Sequence, residues 1–113
     1  MSDTIFMKII RREIPAAIVF EDDLCLAFRD VNPQAPTHIL IIPKQPLAKL
    51  SDASTEHGPI LGHLLLVANK IATQLGINDE FRIVINNGAG AGQTVFHLHV
   101  HLLAGRSFTW PPG

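Results

Sequence analysis

Phe96-His97-Leu98-His99-Val100-His101-Leu102-Leu103 alternates apolar side chains with histidine, and the rest of the chain is read outward from that alternation. In an extended strand neighbouring side chains leave opposite faces, so His97, His99 and His101 are expected on one face at about 7 Å spacing. Phe96, Leu98, Val100 and Leu102 then form the core side. A row of three imidazoles suits a merely solvated or packed sheet face less well than Thr or Val would, which calls for a chemical reason.

Upstream, residues 81–85 read as a second strand, joined to 95–103 by Asn86-Asn87-Gly88-Ala89-Gly90-Ala91-Gly92-Gln93-Thr94. Apolar residues at 60, 61, 64, 65, 67, 68, 71, 72 and 75 follow a 3.6-residue period between Pro59 and Gly76, which predicts one long helix. Three short strand-like runs precede it, 18–21, 25–31 and 37–43, separated by Asp22-Asp23 and the Pro33 to Pro36 loop. Asp3 or Thr4 can cap a short helix over 5–12, with Ile5, Ile9, Phe6 and Ile10 inward, until Pro15 forbids continuation. Consecutive strands with helices in two places predict an α+β domain rather than alternating βαβ units.

The 113 residues hold no internal repeat and read as one domain, 1–113. Charged residues are only 17% and hydrophobic residues 47%, so the chain can bury enough to exclude disorder, and its apolar surplus predicts a subunit interface or an apolar pocket. A formal charge of −1 without a basic run argues against bulk nucleic-acid binding. The single cysteine, Cys25, excludes an intramolecular disulfide and a cysteine-based zinc cluster, and fits a reducing setting. The N-terminal stretch puts an acid before its bases, the reverse of a signal peptide, and no apolar run reaches roughly 18 residues, so a cytoplasmic protein without a membrane span is expected.

Three readings of the histidines compete. The first takes them as filler on a polar sheet face. They could ligate zinc, copper or iron, with Asp30 or His38 completing the set. Or one of them is a nucleophile, because neutral imidazole attacks well near neutral pH once its partner nitrogen is engaged. The loop before them favours the third: glycines at 88, 90 and 92 open the backbone to an anion, and Gln93 and Thr94 add neutral donors. Together they describe a phosphorus centre attacked by imidazole.

His97-Leu98-His99-Val100-His101-Leu102-Leu103 resembles the His-φ-His-φ-His-φ-φ signature of the histidine triad (HIT) superfamily, φ being apolar. Asp3-Thr4-Ile5-Phe6, Phe28-Arg29-Asp30, Pro36-Thr37-His38, Ile42-Pro43-Lys44, Gly92-Gln93 and Trp110-Pro111-Pro112-Gly113 extend the likeness to the Hint branch. The resemblance implies an antiparallel sheet of about five strands with one long and one short helix, extended across a homodimer through the long helix and the 81–85 strand. It implies a phosphoramidase that cleaves the P–N bond of purine nucleoside 5'-phosphoramidates and releases the nucleoside monophosphate, with no cofactor and no catalytic metal. A dinucleoside polyphosphate hydrolase and a nucleotide-binding regulatory scaffold are the alternatives.

By position, the resemblance makes His99 the nucleophile, with its other ring nitrogen donating to a backbone carbonyl of the triad strand. His101 would touch phosphate and move protons, and His97 and His38 would support the cluster. Asn86, Gly92, Gln93 and Thr94 would grip phosphate and leaving group, Thr94 standing where the Hint pattern usually has Ser. Asp30 would accept from ribose hydroxyls; Phe6, Ile9, Phe28 and Val31 would line the base slot. Trp110 would reach toward the partner's active site. His57 and His63, off the stripe of the long helix, are expected to be exposed, and Lys44 and Lys49 to be solvated.

Overall fold

The structure is a computed structural model that describes residues 3–113. In chain order the elements are α1 (Ile5–Ile10), β1 (Ile18–Glu21), β2 (Cys25–Arg29), β3 (Thr37–Pro43), α2 (Gly58–Gln74), β4 (Arg82–Val84) and β5 (Val100–Ala104), with single 3-10 turns at Leu50–Asp52, Thr55–His57 and Ala89–Ala91. All strand pairs are antiparallel, in the order β1-β2-β3-β5-β4. The α+β arrangement expected from the sequence, five antiparallel strands with one long and one short helix, is therefore present. β1 and β4 are its two edges.

Strand alternation sorts side chains onto two faces. Cys25, Ala27, Ile39, Ile41, Val100 and Leu102 pack against Leu64, Val67, Ala68, Ile71 and Ala72 of α2. Leu26, Phe28, Leu40 and Ile42 pack on the other side against Phe6 and Ile9 of α1. Both faces being covered, β2 and β3 read as continuous apolar runs rather than as polar alternation. Thr4 Oγ1 accepts from the Met7 N–H and caps α1. Pro in the first turn opens α2.

The expected strand over 95–103 is shorter than its pattern. Residues 95–97 bend, and β5 begins only at Val100. The Leu98 N–H donates to the Leu47 carbonyl at 2.7 Å instead of joining β3, so the chain enters the sheet from the Leu47 side. Consequently Phe96 is exposed while His97 is buried, and the three histidines do not form a simple row along one strand face. At the far end of β5, Gly105 has φ +99°, and a Cβ there would meet Pro36 Cβ at 2.8 Å, so only glycine turns the chain at this point.

Candidate active site

His38 of β3 and His101 of β5 lie on the α1 face in adjacent strands, where Leu40 pairs with His101 and His38 with Leu103. His38 Nε2 and His101 Nδ1 are 2.9 Å apart. His99, just before β5, stacks beside them with its ring 4.9 Å from that of His101, and Phe6 of α1 meets His99 edge-on at 5.0 Å and 87°.

Backbone groups fix the protons on His38, His97 and His99, and His38 in turn fixes the one on His101. The Gln34 N–H donates to His38 Nδ1 at 3.0 Å, so that nitrogen is bare and neutral His38 carries its proton on Nε2. His38 Nε2–H therefore donates to His101 Nδ1, and His101 in turn keeps its proton on Nε2. His101 Nε2 is buried without a hydrogen-bond partner among the described residues. An unsatisfied buried donor costs about 1–3 kcal/mol, and such a group in a cleft is a reason to look for an acceptor supplied by a ligand. On the other branch His99 Nδ1 lies 2.8 Å from the His97 carbonyl oxygen, which only accepts, so His99 carries its proton there and leaves Nε2 bare. The carbonyl contact expected for the nucleophile is present. His97 Nε2–H donates to the Pro43 carbonyl at 2.7 Å and anchors the bend that delivers His99.

Burial holds these imidazoles neutral. It lowers the pKa of His97, His99 and His38 below the ordinary value, against partial opposition from the Pro43 and His97 carbonyls and from Asp30 respectively. His101 falls to about 4, through burial first and then the like charge of His99 and His38, with Asp30 opposing. The Asp30 carboxylate lies 3.5 Å from His38 Nε2 and accepts the Asn32 N–H at 2.8 Å.

A cavity of about 300 Å³ opens beside the cluster, with Phe6, Ile9, Phe28, Asp30, Val31, Thr94, His99 and His101 in its wall. Phe6, Ile9 and Phe28 are buried, whereas Val31 is fully exposed and forms only a rim. Ile14, Pro15, Ala16, Leu40 and Val95 also line the cavity, and the sequence carries no sign that sets them apart from core. His38 and His97 stand behind the wall. Asn86, Gly92 and Gln93 are not in it. Gln93 is buried, its Oε1 accepts from the Gly88 N–H at 2.8 Å, and its Nε2 donates to the Ala48 and Val95 carbonyls. Its side chain thus shapes the glycine loop, rather than standing free as a donor. Gly92 has φ +99°, and a Cβ there would lie 3.6 Å from the Asn86 amide nitrogen. Trp110 is 83% exposed and away from this cavity.

Two helix histidines differ from expectation. His63 is half-buried and its Nε2 donates to Asp22 Oδ2 at 2.7 Å; the Ser54 N–H donates to His57 Nδ1 at 3.0 Å. Asp22 and Ser54 lie in separate turns, and periodicity within the helix carries no information about either. Lys44 is half-buried, its Nζ 2.8 Å from Glu21 Oε2.

Asp30, His38 and His101 offer atoms within 4.8 Å of one another, close enough for a cation. An ion there would need the His38 Nε2 proton removed, yet Nδ1 cannot take it while it accepts from Gln34. The arrangement favours proton passage over ligation.

The HIT domain profile matches residues 11–108, and the chain belongs to that family. It is similar to an uncharacterized HIT-like protein of Synechocystis, 71% identical over 98% of this chain and 97% of that one. A maize protein named "14 kDa zinc-binding protein" is 57% identical, covering 99% and 89%. The crystal structure of a HIT family hydrolase from Legionella pneumophila superposes with a TM-score of 0.96 at 48% identity, covering 98% of this chain and all of that one.

Proposed function

We propose that this chain is a purine nucleoside phosphoramidase acting through a nucleotidyl-His99 intermediate. The observation that carries the reading is the pairing of a bare His99 Nε2 with an unpartnered His101 Nε2–H at one cavity. His99 Nε2 attacks phosphorus, the P–N bond breaks, and the amine leaves with the proton of His101 Nε2. The His38 Nε2–H donated to His101 Nδ1 supports His101 while it lacks that proton, and the water that attacks the intermediate returns a proton to His101 Nε2. Water attacks the phosphorus of the intermediate and frees the nucleoside monophosphate and His99.

The base enters between Phe6, Ile9 and Phe28 with Val31 at the rim, Asp30 accepts from the ribose hydroxyls, and Thr94 faces phosphate and leaving group. Asn86, Gly92 and Gln93 act through loop shape. Apolar walls discriminate purines weakly, because no buried donor or acceptor reads the base edge.

The unit that works is a homodimer. Leu65 and Leu66 are exposed on the outer face of α2, and β4 is an open sheet edge. Beside that edge lies a broad depression of about 800 Å³ between Ile77, Phe81, Arg82, Arg106 and Phe108, which has no histidine and suits a partner better than a nucleotide. Trp110 projects from this end and reaches the partner's site.

Steady-state hydrolysis of adenosine 5'-phosphoramidate and of diadenosine polyphosphate under the same conditions tests the activity. The phosphoramidate is expected to have much the larger kcat/KM. Faster polyphosphate cleavage would favour the second hydrolase reading, and tight nucleotide binding without turnover of either would favour a scaffold.

A further inference from the structure

A second group of chemically competent side chains lies on the α2 face of the sheet, outside the triad. Asp22, in the turn between β1 and β2, accepts at Oδ1 from the backbone N–H groups of Leu24 and Cys25, at 2.8 Å each. Those two bonds set the carboxylate, and its Oδ2 accepts from His63 Nε2 at 2.7 Å. Cys25 opens β2 and is fully buried against α2. Its sulfur, the His63 ring nitrogen and the Asp22 carboxylate oxygen all lie within 4.8 Å of one another. The side chains of His63 and Asp22 are 30% and 31% exposed, so the group opens to solvent on one side.

We propose that Asp22, Cys25 and His63 form a zinc site separate from the histidine triad. One thiolate, one imidazole and one carboxylate with a solvent-facing fourth position is a donor set for zinc, whereas magnesium and calcium take oxygen donors. Zinc bonds are about 2.0–2.3 Å, so three donors this close need only small side-chain shifts to close around one ion. The framework is rigid: two backbone N–H groups hold Asp22, a buried strand holds Cys25, and a helix holds His63.

Proton accounting separates this group from Asp30, His38 and His101. Among the described residues no protein group engages His63 Nδ1, so the ring can move its proton from Nε2 to Nδ1 and offer Nε2 to the ion. His38 lacks that freedom, because the Gln34 N–H occupies its Nδ1. Binding therefore releases one proton, that of the Cys25 thiol. Without metal, burial and then the neighbouring Asp22 carboxylate push the thiol pKa up to about 12. A bound dication reverses the sign of the local field, and Asp22 becomes a co-ligand instead of an obstacle to the thiolate.

Because Cys25 is the only cysteine, a thiolate-to-cobalt charge-transfer band reports this site alone. Metal-free full-length protein titrated with Co2+ is expected to develop that near-ultraviolet band to one equivalent per chain, and Zn2+ to bleach it. Cys25→Ser should abolish the band, and His63→Gln, at a half-exposed helix position that tolerates the change, should weaken Zn2+ binding by about 10²-fold in equilibrium dialysis. His38→Ala should leave the band intact. Wild-type protein that gives no charge-transfer band, or zinc binding that survives Cys25→Ser and His63→Gln but is lost in His38→Ala, would overturn the proposal. Circular dichroism establishes that each variant is folded before its metal binding is scored.

Discussion

Cys25, Ala27, Ile39, Ile41, Val100 and Leu102 leave one face of the sheet, while Leu26, Phe28, His38, Leu40 and His101 leave the other. The first face lies under the 17-residue helix α2; the second is roofed by the six residues of α1, with a cavity left open. A long helix closes a core and a short one leaves a slot, so the same strands provide stability on one side and chemistry on the other. The histidines on the slot side are tolerable because backbone carbonyls and N–H groups, together with the His38–His101 contact, satisfy their buried nitrogens, except at His101 Nε2, in a residue that lines the cavity.

Substitutions can break that division. The largest effect is expected for His99→Ala, with phosphoramidate turnover down by at least about 10⁴-fold and the unfolding midpoint little changed. On the opposite face Leu102→Ala should do the reverse, costing about 2–5 kcal/mol in urea unfolding while the active-site chemistry of the folded fraction is retained. If Leu102→Ala instead changed kcat without changing stability, the two faces would not be separable. His38→Ala should lower kcat by about 10²-fold by removing the hydrogen bond donated to His101 Nδ1, and His38→Gln should recover little of it.

A pH series sharpens the comparison. The buried imidazoles titrate below their unfolded value near 6.5, His101 at about 4, so between those values the unfolded chain binds more protons than the folded one. Stability is therefore expected to be full above pH 6.5 and to fall as pH drops toward 4. Urea midpoints at pH 7 and pH 5 check this, and the difference should shrink in His101→Asn. The smallest effect is expected for Thr4→Ala, which removes the cap of α1 at a cost of about 1 kcal/mol or less and should raise KM more than it lowers kcat.

The α2 face was the more legible one. The 3.6-residue period placed the long helix within two residues of Gly58–Gln74, because burial against a sheet demands an apolar stripe. The slot side was legible in residue type rather than in geometry. His99, His101, Asp30, Phe6, Ile9 and Phe28 line one cavity; the alternation singled out the histidines, while only the family resemblance grouped the other four with them. The alternation, however, continued past the point where the strand does: bonds to Leu47 and Pro43, some fifty residues away, bend 95–97 and bury His97. Local pattern is blind to such partners. Gln34 was equally invisible, since it acts through a backbone N–H that any non-proline residue would supply. Gln93 looked like a donor and serves instead as a clamp on the loop, because its amide finds Gly88, Ala48 and Val95 only in the folded chain.

The central claim is that His99 is the nucleophile of the slot face. Rapid mixing with adenosine 5'-phosphoramidate, acid quench and intact-mass spectrometry with peptide mapping tests it most directly. An adenylyl adduct on His99, formed within one turnover and absent from His99→Ala, is the predicted result. Turnover with no covalent adduct at any quench time, or an adduct mapped to another histidine, would contradict the account.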